Sequence, residues 1–317
     1  MSSQASANPA NQRWTKLGRV PIEADASRWL DDYAAVPFLD HIEGDRYWLY
    51  FSARDQQNRS HTRRAVIDLR DPLRPLTPEA GSVVGPSRPG FFDADGAMGS
   101  DLVHIDGRAH LFYIGWNLGA DVPFRNAIGI AVEGSDGTFE RLGAGPVLDR
   151  STMDPCFVAS NCVLPDGDGY RMWYLSCFDW TEDAAGWSHR YHIKEARSDD
   201  GRSWTPCDRV AIDFAHPGEY AISVPRVHRR GDGLEMWYSF RAGPRGATYR
   251  VGYATAPDGI SWTRRDELVD LDVSATGWDS DMVCYPYVLR HDGRTFMLYN
   301  GNGYGRTGVG LAELAQG

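Results

Sequence analysis

Eight carboxylic acids stand a few residues ahead of five strand-like runs: Asp31 and Asp32, Asp93 and Asp95, Asp154, Glu219, and Asp279 and Asp281. Carboxyls act in pairs when their environments separate their pKa values, so that one donates a proton while the other stays ionised. Several of them in one pocket repel, which raises some pKa values toward neutrality. The same residues also have a scaffolding use, because Asp ahead of a strand caps backbone N–H groups. Acid at the same place in all five runs favours chemistry for the group. A ring of acids also suits calcium, but no EF-hand-like spacing is present and no metal is expected.

The five runs are copies of one unit. "VPFLDHIEGDRYWLYFS", "SDLVHIDGRAHLFYIG", "NCVLPDGDGYRMWYLS", "VPRVHRRGDGLEMWYSF" and "YPYVLRHDGRTFMLYNG" each join a strand to an aromatic-rich strand. The turn between them carries Gly with Asp, a hairpin signal. Equivalent positions fall at Pro37, Asp101, Cys162, Pro225 and Pro286, a step of 61 to 64 residues. Three units continue through "GIAVEGSDGTFERL", "KEARSDDGRSWTPC" and "GYATAPDGISWTRR" into a third and fourth strand. Four antiparallel strands per repeat make a propeller blade, so the reading is all-β, a single five-bladed β-propeller. The fifth unit lacks its outer strand. "RWTKLGRVPI" at 13–22 is like "SWTPCDRVAI" at 203–212 and is expected to supply it, closing the ring and removing two sheet edges. The domain reading is a disordered leader over 1–12 and one propeller over 13–317, its blades starting near 34, 98, 159, 222 and 283. The Trp residues of the Ser-Trp-Thr segments are expected to pack between blades.

In a propeller the first strand of each blade lines the central channel, so the acids ahead of those strands converge on one funnel. Asp31, Asp95, Asp101 and Asp281 are therefore substrate-binding candidates beside the catalytic ones; Asp281 and Asp32 both stand five residues ahead of their proline. Sugar sites add aromatic platforms and hydrogen-bonding groups, and Trp116 and Asn117 follow the aromatic strand of the second unit. Arg241 follows that of the fourth, and "YNGNGYGRTG", with Asn300, Asn302 and Arg306, that of the fifth. This Gly-rich loop lacks the context of a phosphate loop; its glycines let backbone approach a ligand closely. His192 shares a strand with Glu195 and Arg197, one face of which is placed toward the channel, and His216 lies just ahead of Glu219. His189 and His192 have i, i+3 spacing, a weak metal signal on a strand. Arg226 and Arg241 suit an acidic substituent or phosphate, or equally the neutralisation of the acid ring.

Composition removes other classes. With 33 basic against 43 acidic residues the net charge is −10, which argues against non-specific binding to nucleic acid or an anionic membrane. No apolar run approaches the roughly 20 residues of a spanning helix, and "MSSQASANPANQRW" has no apolar signal core. The five cysteines, odd in number and without CxxC spacing, read as free thiols in a reducing compartment. The expectation is a cytoplasmic protein without a cofactor whose partner is a small carbohydrate.

Five blades with an acidic funnel resemble the five-bladed glycoside hydrolase superfamily of arabinanases, levansucrases and invertases, closest in style to family 43, with families 32, 117 and 130 as relatives. "TMDPCFV" resembles the Asp-Pro stretch of family 43, "WLDDYAAVPFL" sits where that superfamily keeps its first-blade Asp, and "HPGEYAISVPRV" where family 43 places its general-acid Glu. The resemblance implies Asp32 as base or nucleophile, Asp154 as the residue that tunes pKa and orientation, Glu219 as the acid, and inverting hydrolysis by water. Glu219 departs from the pattern, since family 43 has its Glu directly before a Gly-Pro or Ala-Pro pair. The alternatives on the same scaffold are a phosphorylase or transferase, a biosynthetic enzyme, and a non-catalytic sugar- or protein-binding propeller.

Overall fold

A computed structural model describes residues 11–23, 29, 33–184 and 186–315. They are almost all strand. β1 (Gln12–Arg19) comes first. A first unit follows, β2 (Ala35–Glu43), β3 (Arg46–Arg54) and β4 (Ser60–Asp68). The second unit is β5 (Gly96–Ile105), β6 (Arg108–Leu118), β7 (Phe124–Glu133) and β8 (Phe139–Arg141). The third is β9 (Phe157–Asp166), β10 (Gly169–Asp183), β11 (Gly186–Ser198) and β12 (Thr205–Ile212). The fourth is β13 (Ala221–Arg230), β14 (Gly233–Gly243), β15 (Gly246–Ala256) and β16 (Thr263–Arg264). After the short β17 (Val269–Asp270), the fifth is β18 (Cys284–His291), β19 (Arg294–Asn300), the one-turn α1 (Asn302–Gly305) and β20 (Val309–Leu314). Within each unit consecutive strands pair antiparallel.

The turns that the sequence marks do close the hairpins. Asp106-Gly107 and Asp292-Gly293 are two-residue loops with both residues at positive φ, the turn whose twist matches that of the flanking strands. The fifth unit recruits β1. It runs antiparallel to β20 from Trp14 opposite Leu314 to Arg19 opposite Gly310. The expected strand over 13–22 is shorter at its end, because Pro21 has no N–H to donate and the chain turns off toward Leu76, whose N–H bonds to the Pro21 carbonyl.

Five apolar clusters fill the spaces between units, each shared by neighbours. Phe38 and Tyr50 of the first unit meet Leu111 and Tyr113 of the second, Phe112 and Ile130 meet Val163 and Met172, and Trp173 and Ile193 meet Val227 and Met236. Trp237 and Val251 then meet Val288 and Met297, and Phe296 and Leu298 of the fifth unit meet Leu39 and Leu49 of the first. Trp204, Trp262 and Trp14 lie in successive clusters of this set, the packing expected of the Ser-Trp-Thr tryptophans. At the hairpin ends polar contacts repeat the sequence: His104 to Asp40, Arg202 to Asp106, Arg290 to Glu235, and His291 to Asp45. Among the described residues no helix is long and apolar enough to cross a membrane, and all five cysteines are free.

Removing residues 1–19 takes away Trp14, the β20 pairing and the Lys16 ammonium described below, and exposes the edge of β20. The truncated protein is expected to self-associate on size-exclusion chromatography and to lose cooperative thermal unfolding. A monodisperse product melting at the full-length temperature contradicts this placement of β1.

Candidate functional site

The first strand of every unit is broken near its start by a bulge. Pairing slips by one residue between Ala35 and Phe38, Gly99 and Asp101, Ala159 and Asn161, Ser223 and Arg226, and Cys284 and Tyr287. Four of the bulged residues are not glycine yet have positive φ: Val36, Ser160, Val224 and Tyr285. Such conformations persist only where the surroundings over-determine them. Here side chains capture the N–H groups the bulges release: Asn300 Oδ1 accepts from Val36 N at 2.9 Å, Ser160 Oγ from Val224 N at 3.2 Å, Ser239 Oγ from Tyr285 N at 2.7 Å, and Ser100 Oγ from Asn161 N at 2.7 Å.

The bulged ends surround one cavity of about 460 Å³, to which all five first strands contribute: Val36, Met98, Ala159 and Ser160, Ser223 and Val224, and Tyr285. Its wall continues through Arg54, Trp116, Phe124, Asn126, His189, Tyr191 and Tyr249. Beneath the floor, the centre is plugged by charge. Arg226 Nη1 lies 3.7 Å from Asp101 and donates to the Asn161 carbonyl, its guanidinium lies over the Tyr287 ring, and Tyr287 donates to the Leu39 carbonyl. Burial drives the Asp101 carboxyl up to about 6 against the pull of Arg226.

No aspartate or glutamate belongs to the described cavity wall. The acids ahead of the strands are instead clasped in the body of the units. Asp93 accepts from Ser87, from Tyr113 OH at 3.1 Å and from Arg141 Nε at 2.7 Å. Asp154 accepts from Tyr174 OH at 3.1 Å, Ser176 Oγ at 2.6 Å and Ser151 Oγ at 3.0 Å, with Lys194 Nζ at 3.6 Å. Asp279 accepts from Tyr299 OH at 3.1 Å and Lys16 Nζ at 2.6 Å. In the fourth unit Arg264 grips Glu219 with both Nη atoms, at 2.7 and 3.0 Å, while Tyr238 donates to Asp266. All four acids are buried.

The strand register explains the clasp. Each tyrosine lies on its unit's second strand, and the residue opposite it on the third is Gly129, Gly252 or Gly310 in the second, fourth and fifth units. A Cβ at any of these would run into the tyrosine ring. There the cation comes from the fourth strand: Arg141 on β8, Arg264 on β16 and Lys16 on β1. In the third unit the residue opposite Tyr174 is Lys194, which is itself the cation.

Asp31 and Asp32 lie outside the described residues. Asp154 and Glu219, expected to be catalytic, are buried, hydrogen-bonded within their units and absent from the described cavity wall. Of the binding candidates, Trp116 lines the cavity, its Nε1 donating to Ser60, and Arg241 stands just behind Tyr249. The others have different tasks. Asp95 accepts the Leu118 N–H at 2.8 Å, Asn117 bonds to the Leu118 carbonyl, and Asp101 and Arg226 form the plug. Asn300 holds the Val36 bulge and the Ala34 carbonyl; Asn302 Oδ1 accepts the N–H groups of Asp281 and Met282. His216, Asp281 and Arg306 are exposed and absent from the cavity wall. His192 faces away, against Phe178 and Asp213. The alternate face of that strand, His189 and Tyr191, meets the cavity. Period-two alternation identifies the two faces but not which is inward, and a bulge at Cys177–Asp179 shifts the register ahead of them.

The fold is one that glycoside hydrolases use. A structure described as a glycoside hydrolase superposes with a TM-score of 0.75 at 18% identity, covering 97% of this chain and 93% of its own. A structure from work on the GH130 family of mannoside phosphorylases, said to contain hydrolases of β-1,2 mannosidic linkages, gives 0.69 at 14% identity, covering 99% and 95%. The family 117 glycoside hydrolase Zg3597 of Zobellia galactanivorans gives 0.64 at 11% identity, covering 96% and 90%. By sequence, the chain belongs to the family of the uncharacterized protein Rv1502 of Mycobacterium tuberculosis, to which it is 39% identical over 301 residues, 95% of this chain and 99% of the relative. No protein-family model matches it.

Two outcomes follow. Asp154→Ala leaves Lys194 buried without its carboxylate and is expected to cost about 3–5 kcal/mol in urea unfolding; an unchanged midpoint contradicts the clasp. Burial also pushes His189 and His228 down to about 4, and lowers His110 and His192. These groups bind protons more readily unfolded, so their stability is complete above about pH 6.5 and is lost as pH falls toward 4, on the order of 3 kcal/mol for each of the first two. Asp101 opposes this, because its folded form keeps a proton between about 4 and 6. Urea unfolding is expected to weaken from pH 7 to pH 4.5, and less steeply in His228→Gln; equal slopes contradict it.

Proposed function

We propose that this protein is a carbohydrate-active enzyme built as a five-bladed propeller, its ring closed by β1, with a glycoside bound in the central cavity. The observation that carries the reading is the cavity itself, a volume of sugar size at the meeting of five first strands. Its wall sets aromatic faces beside amide, hydroxyl and guanidinium groups, the mixture a small-molecule site uses for apolar contact and orientation. The shared fold with glycoside hydrolases supports the same class.

The acid chemistry is assigned to Asp32. The clasped carboxylates of Asp154 and Glu219 have spent their hydrogen-bonding capacity on the scaffold, and cleavage by two carboxyls flanking the bond has no described pair to draw on. Asp32 holds the first-blade position in the resemblance. Its neighbour Tyr33 has its ring under the guanidinium of Arg54, a wall residue. One acid suits transfer of a glycosyl group to phosphate or another acceptor as well as to water.

The test is turnover of an aryl glycoside panel with and without inorganic phosphate. Asp32→Asn is expected to lower kcat by about 10²–10⁴-fold with its melting temperature unchanged, while Asp154→Asn and Glu219→Gln lose stability and keep kcat in the folded fraction. Loss of kcat in a fully folded Asp154→Asn or Glu219→Gln contradicts the assignment, and sugar binding without turnover points to a binding propeller.

A further inference from the structure

Most buried or half-buried arginines among the described residues face a carboxylate, whereas Arg63 donates to the Gly81 and Glu79 carbonyls. Arg141 faces Asp93, Arg171 faces Asp166, Arg226 faces Asp101, Arg250 faces Asp272, and Arg264 faces Glu219 and Asp266. Arg54 and Arg241 have no carboxylate partner among the described residues. Arg54 lies over the rings of Trp116 and Tyr33, at 5.1 and 5.5 Å from their centroids, and donates one N–H from Nη1 to the Asn58 carbonyl. Arg241 lies among Tyr220, Tyr249 and Tyr304, at 5.2 to 5.9 Å. In both, Nε is buried and bonds to nothing described.

Ring faces attract a guanidinium but do not accept its in-plane N–H groups. A half-buried guanidinium with N–H groups left over is a ready seat for an acceptor, and a chain with 43 acidic residues had ample means to supply a carboxylate. Among the described residues no carboxylate stands in the cavity wall; Arg54 belongs to that wall, and Arg241 stands behind its Tyr249. His189 is held neutral there, its pKa pushed to about 4 by burial and by the nearby Arg241. The described part of the wall is therefore positive, inside a protein of net charge −10.

We propose that the glycoside this cavity takes is anionic, a sugar bearing a carboxylate or a phosphate ester, with its charged group seated on Arg54 or Arg241. A guanidinium presents paired N–H donors that match either oxyanion. The aromatic wall then packs against the sugar ring. This rests on the reading of the cavity as a sugar site.

The experiment is calorimetric titration of the full chain with matched pairs: glucuronate and glucose, galacturonate and galactose, glucose 6-phosphate and glucose, with inorganic phosphate alone alongside. At least one acidic member is expected to bind about 10-fold or more tighter than its neutral partner, the preference shrinking as salt rises from 50 to 500 mM. In Arg54→Gln or Arg241→Gln that ratio is expected to fall toward one, and Arg241→Lys, which keeps charge but not the paired donors, to restore part of it. Neutral and acidic sugars binding equally overturn the proposal, as does a preference that survives both glutamine variants. Inorganic phosphate binding as tightly as the sugar phosphate overturns the placement of the charge on the sugar. If none of the sugars, acidic or neutral, binds, the cavity reading beneath the proposal is what fails. The wild-type comparison decides the matter even where a variant does not fold.

Discussion

A carboxylate shut away from water must have its oxygens occupied by donors, and four of the five units place such a carboxylate at the entry to their first strand. Asp93, Asp154, Glu219 and Asp279 meet that demand with a cation from the third or fourth strand, and three of them also with the hydroxyl of the second-strand tyrosine. The contact binds the loop before a unit to its middle and to its outer or third strand. It fixes where each first strand starts, and hence where the bulges fall and where the cavity opens. β1 obeys the same rule: its Lys16 does for Asp279 what Arg141 on β8 does for Asp93.

The repeat was legible because it is written in turn chemistry and strand pattern. The observed first strands begin at Ala35, Gly96, Phe157, Ala221 and Cys284, and the Trp-Thr likeness of the N-terminus to the outer strand of the third unit is realised as β1 beside β20. The role of the acids was harder to read. Their recurrence is real, but recurrence marks a shared need, and a need of the scaffold repeats as faithfully as a need of chemistry. A second signal was present in the sequence. Asp93, Asp154 and Asp279 each precede a second-strand tyrosine by 20 residues, and a Gly or Lys follows on the next strand. What the sequence does not display is direction. Whether an aspartate ahead of a bulge faces the channel or the sheet depends on one or two residues of register, and the same dependence separates the expected His192 from the His189 and Tyr191 that line the cavity.

With Asp93, Asp154, Glu219 and Asp279 clasped, the described cavity wall consists of aromatic and aliphatic faces, a few hydroxyls and amides, and Arg54, with Arg241 behind Tyr249. One fold carries many chemistries, and the described wall of this cavity differs from the acidic funnel its sequence suggests. The charge plug of Arg226 and Asp101 lies beneath the floor, where Arg226 Nη1 donates to the Asn161 carbonyl and Asp101 accepts the Val163 N–H.

A crystal structure of the full chain with an acidic sugar bound tests this account most directly. The account predicts the sugar in the central cavity, its charged group within hydrogen-bonding distance of Arg54 or Arg241, and Asp154 and Glu219 still held by Tyr174, Lys194 and Arg264. A sugar lying against freed Asp154 and Glu219 carboxylates contradicts it.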